Sequence, residues 1–213
     1  MKTIFIGRSL SALVTLYEQT DLVHVLSEKD KTPDSIFNFC KSKYIAQTTI
    51  FQDSDIGEVI FNHKITDSAL MSASCGIIFS QNSIDLFESI INFHPGDIFT
   101  CRGATPLLFA IQKRLPFMGF TSHIINSSLI DCGPIIYQNM LPINYEKSYG
   151  YNEKLLFSIL PETILATVKI VENPSFSPLK WFNRQENKYN LRLSLEEYQK
   201  ITTAPSLNEA LKT

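Results

Sequence analysis

The chain opens on KTIFIG, an apolar run that reads as a short buried strand. SLSALVTLYEQ follows, its apolar positions recurring at helical spacing behind Ser9, a candidate N-cap. DLVHVLS is a second strand-like run. TPDSIFNFCKS predicts a short helix with Pro33 near its start and DIGEVIFNHKI begins another, before the apolar DSALMSASCGIIF returns to the sheet. SIDLFESI then predicts a short helix, IINFH a strand, and ATPLLFAIQKR a helix opened by Pro106. FMGFTSHII and GPIIYQNMLPI read as two strands around a polar loop. From Tyr151 the texture changes to the long amphipathic YNEKLLFSILPETILATVKIVEN, which Pro161 should kink or divide. The tail beyond it holds three prolines and the only tryptophan, and is too small for a core of its own.

Alternating strand and helix signals predict an α/β fold with a mostly parallel twisted sheet covered by helices. In such folds ligands sit at the carboxyl ends of the strands. The change of texture divides the chain into a main domain, residues 1–150, and a C-terminal helix and tail, 151–213, expected to pack on that domain or on a second subunit.

Composition narrows the function classes. At 213 residues and 44% hydrophobic the chain has enough apolar material for one good core. A formal net charge of -2 gives no general attraction for a polyanion, so neither nucleic acid nor an anionic membrane is an expected partner. The four cysteines, Cys40, Cys75, Cys101 and Cys132, form no CxxC pair, which suits a reducing compartment. The short apolar run TIFIG, interrupted by Arg8, has neither the length nor the flanks of a signal peptide or membrane span, so a soluble cytoplasmic protein is expected.

The chemistry gathers around INFHPGDIFTCRGATPLLFAI. There Asn92 and His94 stand two apart at the end of an apolar strand. A histidine near its ordinary pKa can take and return a proton, and an amide can donate to a developing oxyanion without competing for that proton. Asp131, in SSLIDCGPII, alone would be read as a turn carboxylate. With the other two it completes a set suited to acyl transfer: a carboxylate to orient a histidine and an amide to polarise a carbonyl. Cys101 and Cys132 lie close in sequence to this set and offer a nucleophile alternative. His24, His63 and His123 lack metal-ligand spacing, so no metal is expected; His123, in the GFTSH strand, falls near the catalytic set.

INFHPGDIFTCRGATPLLFAI, GFTSHII and LIDCGPIIYQNMLPI, in this order, resemble the catalytic domain of the N10-formyltetrahydrofolate-dependent formyltransferases, over roughly residues 67–143. The resemblance implies a Rossmann-like formyltransferase domain in which Asn92, His94 and Asp131 are the catalytic residues. It implies N10-formyltetrahydrofolate as co-substrate and no metal. It also places Gly76, Ile77 and Phe79, with the loop Ser127, Ser128, Leu129 and Ile130, along the folate. Two departures are visible: Phe99 replaces the usual proline before Arg102 and Gly103, and the loop from His123 to Asp131 is slightly longer than in common relatives.

Among the branches of that family, methionyl-tRNA formyltransferases normally add a sizeable C-terminal domain and need a basic surface for tRNA. This acidic chain ends too early for that expectation. Glycinamide ribonucleotide transformylases carry a Gly-rich first loop, here GRSLSAL with only Gly7, which weakens that alternative. The tail fits nucleotide-sugar N-formyltransferases, which commonly end in a small dimerising hairpin. The resemblance therefore implies a homodimer acting on a nucleotide-linked amino sugar, a dTDP-4-amino-4,6-dideoxyhexose or a 3-amino relative, for bacterial surface polysaccharide such as O-antigen. Arg8 and Arg102 are candidate diphosphate contacts and Trp181 a candidate stacking partner for the base. A non-catalytic binder of folate or nucleotide sugar is the remaining alternative.

Overall fold

The computed structural model describes residues 1–176 and 194–211. Strand β1, Lys2–Gly7, is buried along nearly its whole length, as a strand covered on both faces must be, and so reads as continuous rather than alternating apolar sequence. Helix α1, Leu10–Gln19, starts where Ser9 accepts the Ala12 amide, satisfying one of the first-turn donors. Strand β2, Asp21–Glu28, helix α2, Asp34–Lys43, and strand β3, Gln47–Ile50, follow, then helix α3, Asp55–Asn62, and strand β4, Ala69–Ala73. The segment after Ala73 leaves the sheet, so the predicted strand DSALMSASCGIIF is strand only in its first half. A single helical turn, α4, Gln81–Ile84, precedes β5, Ser89–His94; α5, Pro106–Gln112, begins on its proline as predicted.

Strands β6, Phe117–Ile125, and β7, Ile135–Pro142, complete a seven-stranded sheet in the order β3-β2-β1-β4-β5-β6-β7. The pairs from β3 to β5 are parallel, whereas β6 is antiparallel to both β5 and β7. Strand order reverses between β1 and β4, and such a switch point leaves a crevice beyond the strands' carboxyl ends.

Pro161 divides the long C-terminal segment as predicted: α6, Tyr149–Ser158, ends and α7, Leu160–Val171, starts with the proline in its first turn. Leu156, Leu160, Ile164 and Val168 pack into the same core as Leu13, Leu16, Met71 and Phe93, so α6 and α7 cover one face of the sheet. The opposite face packs Ile4, Ile6, Leu26, Leu70 and Ile90 beneath α3. Helix α8, Leu195–Thr203, opened by a capping box at Ser194 and Glu197, and the short α9, Leu207–Ala210, return to the main body. Leu207 and Asn208 donate backbone bonds to the Lys147 and Tyr145 carbonyls, and Arg114 holds the Leu211 carbonyl at 3.0 Å. Among the described residues no helix is long and apolar enough to cross a membrane.

Candidate active site

Residues two apart on a strand share a face, so β5 presents Asn92 and His94 together at its carboxyl end. Antiparallel pairing sets His123 of β6 directly opposite Asn92 and Thr121 opposite His94. The loop between β6 and β7 folds back over this corner and delivers Asp131 with φ 49°, a left-handed conformation that aspartate tolerates better than most residues. Ser74, after β4, and Thr105, before α5, are also left-handed and also border the cavity. Three such residues around one cavity mark a backbone held in place by its surroundings.

The side chains converge on Asp131. Its Oδ2 lies 3.3 Å from His94 Nδ1 and accepts the Gly103 amide at 2.8 Å. Its Oδ1 lies 3.3 Å from His123 Nε2 and accepts Asn92 Nδ2 at 3.4 Å. Burial alone would raise the Asp131 pKa, but His94, His123 and the Gly103 amide outweigh it and hold the carboxyl well below the usual carboxylate range. Asp131 is therefore an anion at neutral pH.

His94 is 3% exposed, and its Nε2 lies 2.5 Å from the Cys101 carbonyl oxygen. Burial pushes its pKa below the ordinary histidine value, against the opposing pull of Asp131 and the Cys101 carbonyl. The neutral ring thus has acceptors at both nitrogens and one hydrogen to share between them. Asn92 Nδ2 also donates to His123 Nε2 at 3.1 Å, while His123 Nδ1 faces the Ile124 carbonyl at 3.3 Å. His123 Nε2 thus lies between the Asn92 amide and Asp131 Oδ1, and the tautomer of its ring decides which of the two it bonds. Its position in the GFTSH strand sets His123 near the catalytic residues in the sequence, but the register that places it opposite Asn92 is not legible there.

Asn92, His94 and Asp131 border one cavity of about 1080 Å³. Gly76, Ile77 and Phe79 form one wall of it, and Ser127, Ser128, Leu129 and Ile130 form another. Tyr149 and Glu153 of α6 and Tyr198 of α8 line it as well, with the Tyr149 hydroxyl donating to Glu153 at 2.8 Å. Arg8 borders the cavity, its Nε on the Ser74 carbonyl at 2.6 Å. Arg102, the other candidate diphosphate contact, is 4% exposed, donates to Cys132 Sγ at 2.8 Å and does not line this cavity. Trp181 lies outside the described residues. Cys101 and Cys132 are buried, and burial raises the Cys101 pKa, the reverse of what an activated thiolate needs. Among the described residues no three His, Cys, Asp or Glu side chains form a cluster able to hold a metal ion.

No protein-family model matches the chain. The methionyl-tRNA formyltransferase of Thermotoga neapolitana is 27% identical over 114 residues, 53% of this chain and 36% of the relative, so the match spans well under half of that protein's length. The structure is similar to WlaRD, a sugar 3N-formyl transferase solved in the presence of dTDP and 5-N-formyl-THF, with a TM-score of 0.74 and 16% identity over 99% of this chain and 77% of that one. It is also similar to the phosphoribosylglycinamide formyltransferase of Anaplasma phagocytophilum, with a TM-score of 0.67 and 20% identity over 80% of this chain and 85% of that one. The chain therefore has the formyltransferase fold.

Proposed function

We propose that the protein transfers a formyl group from N10-formyltetrahydrofolate to the amine of a nucleotide-linked amino sugar, with dTDP-4-amino-4,6-dideoxyglucose as the leading candidate, for bacterial surface polysaccharide. The observation that carries the reading is the meeting of Asn92, His94 and an ionised Asp131 on the wall of one cavity. A reduced folate fits the residues present. The cavity exceeds what a single drug-sized ligand needs, and the Gly76 to Phe79 wall offers backbone and apolar surface to a flat ring.

The bound folate supplies an activated formyl carbon; the rest of the work belongs to the chain. Asp131 holds His94 through Nδ1, so a hydrogen placed there leaves the Nε2 lone pair for the attacking amine once the Cys101 carbonyl contact is exchanged for it. Asn92 Nδ2 then turns the hydrogen of its long 3.4 Å contact with Asp131 to the formyl oxygen. The proton that His94 collects passes to the departing nitrogen, so no covalent enzyme intermediate is required.

The depressed His94 pKa has a definite sign in kinetics. The base works unprotonated, and burial moves its protonation to lower pH. The acid limb of kcat/KM is therefore expected below the ordinary histidine value of about 6.5. An acid limb at or above that value, measured under saturating folate, contradicts this assignment.

The sugar branch is supported by the extent of the likeness. The sugar enzyme WlaRD matches 99% of this chain, whereas the ribonucleotide enzyme matches 80%. The carboxylate and phenols of Glu153, Tyr149 and Tyr198 suit a hydroxyl-rich acceptor. The test is a transfer assay with N10-formyltetrahydrofolate that offers the dTDP-amino sugar beside glycinamide ribonucleotide and follows tetrahydrofolate release, with His94→Asn as the blank. Formylation of the sugar is expected; formylation of the ribonucleotide alone overturns the sugar branch, and no transfer to either amine favours the non-catalytic binder.

A further inference from the structure

Glu28 is the last residue of β2 and is 3% exposed, far from the catalytic corner in sequence and unused by the mechanism. A buried carboxylate is costly unless its oxygens are matched, and here the partners are informative. Oε1 accepts the Gly76 amide at 2.9 Å and lies 3.8 Å from Arg8 Nε; Oε2 lies 3.4 Å from Lys31 Nζ. Arg8 in turn donates Nε to the Ser74 carbonyl at 2.6 Å. The strap that leaves β4 is thus fastened at two points, Ser74 through Arg8 and Gly76 through Glu28. The residues so fastened run into Ile77 and Phe79, which form a cavity wall. The joint is closely packed: a Cβ on Gly76 would stand 2.8 Å from Glu28 Oε2 and 3.2 Å from Lys31 Nζ, so the Glu28 side chain would have to shift.

We propose that Glu28 is a positioning residue for ligand binding: by holding the Gly76 amide and orienting Arg8, it fixes the strap against which the flat ring of a reduced folate is bound. This rests on the reading that the cavity takes a reduced folate. Glu28 touches no reacting atom, so its loss should appear in binding and not in turnover. The backbone donor matters more than the charge, because Lys31 and Arg8 are both well exposed and exposed partners contribute little. Glutamine keeps an oxygen for the Gly76 amide, whereas alanine leaves that donor without a partner.

The experiment measures the Kd for 5-formyltetrahydrofolate by calorimetry, kcat and KM for folate in the transfer assay, and amide hydrogen exchange over residues 74–79. Glu28→Ala is expected to weaken folate binding about tenfold, to raise KM in step with unchanged kcat, and to speed exchange in the strap. Glu28→Gln should stay within about threefold of the wild type. Gly76→Ala should weaken binding more beside Glu28 than in the Glu28→Ala background, a non-additivity that reports the contact itself. An unchanged Kd and unchanged exchange in Glu28→Ala, or a fall in kcat at constant Kd, overturns the proposal. If Glu28→Ala does not fold, a Glu28→Gln variant that binds folate at least tenfold more weakly than the wild type overturns it equally. Failure of the wild type to bind any reduced folate would instead overturn the functional reading, and strap exchange would still decide whether Glu28 fastens the wall.

Discussion

Asn92→Ala is expected to lower kcat for formyl transfer by about 10²–10³-fold, ~3–4 kcal/mol in the barrier, with the affinity for both substrates nearly unchanged. The reason lies in what the amide is attached to. Asn92 does not hang free in the cavity; its Nδ2 lies 3.1 Å from His123 Nε2 and 3.4 Å from Asp131 Oδ1. An oxyanion donor fixed in this way spends little reorganisation at the moment charge develops on the formyl oxygen. Alanine removes the donor without adding bulk and leaves Asp131 and His94 in contact. Steady-state kinetics with both substrates varied decides the matter. A kcat within tenfold of wild type, or a loss confined to KM, would remove Asn92 from the chemistry.

The second large effect is structural. Gly7→Ala is expected to destabilise the fold by at least about 3 kcal/mol, a drop in Tm of roughly 6–12 °C for a chain of this size. Gly7 ends β1 with φ 144°, opposite Ala73 of β4, and a Cβ there would lie 1.9 Å from the Ala73 carbonyl oxygen. That oxygen is backbone and already accepts the Arg8 amide at 3.1 Å, so it cannot swing away without disturbing the joint between the two strands. The site sits where strand order reverses, so its loss should also loosen the cavity. Thermal and urea melts that place Gly7→Ala within about 1 kcal/mol of wild type would show that the backbone relaxes far more easily than this geometry allows.

Much of this fold is written in local pattern, because its parallel strands are buried on both faces and advertise themselves as apolar runs. β1, β4 and β5 are legible for that reason, and Pro106 and Pro161 mark helix starts that the structure contains. β3 is not legible: QTTI is a short, half-polar edge strand whose pairing with β2 comes from tertiary packing rather than propensity. Of the site, Asn92 and His94 can be read because two residues on one strand share a face. Asp131 can be read only as a partner within a set. The role of His123 depends on strand register, and that of Glu28 on a contact spanning 48 residues of sequence, neither of which any local window contains. The burial of Arg102 is not legible either: proximity to the histidine loop in sequence says nothing about which way a long side chain is buried.

The antiparallel pairing of β5 with β6 makes the active corner an indexed mechanism, in which length matters as much as residue identity. Because side chains alternate across a strand, removing or adding one residue within β6 ahead of His123 would exchange the two faces of that strand. Ser122, whose hydroxyl accepts from Thr167 on the α7 side, or the apolar Ile124 would then face Asn92, and a histidine would be driven into the core. The frame of β6 therefore tolerates point substitutions at its outward end, near Phe117, far better than any change in its count of residues. Variation in length belongs instead to the loop between β6 and β7, where a nine-residue stretch from Asn126 to Pro134 can absorb an insertion before Asp131 without shifting the ladder that aligns Asn92 with His123.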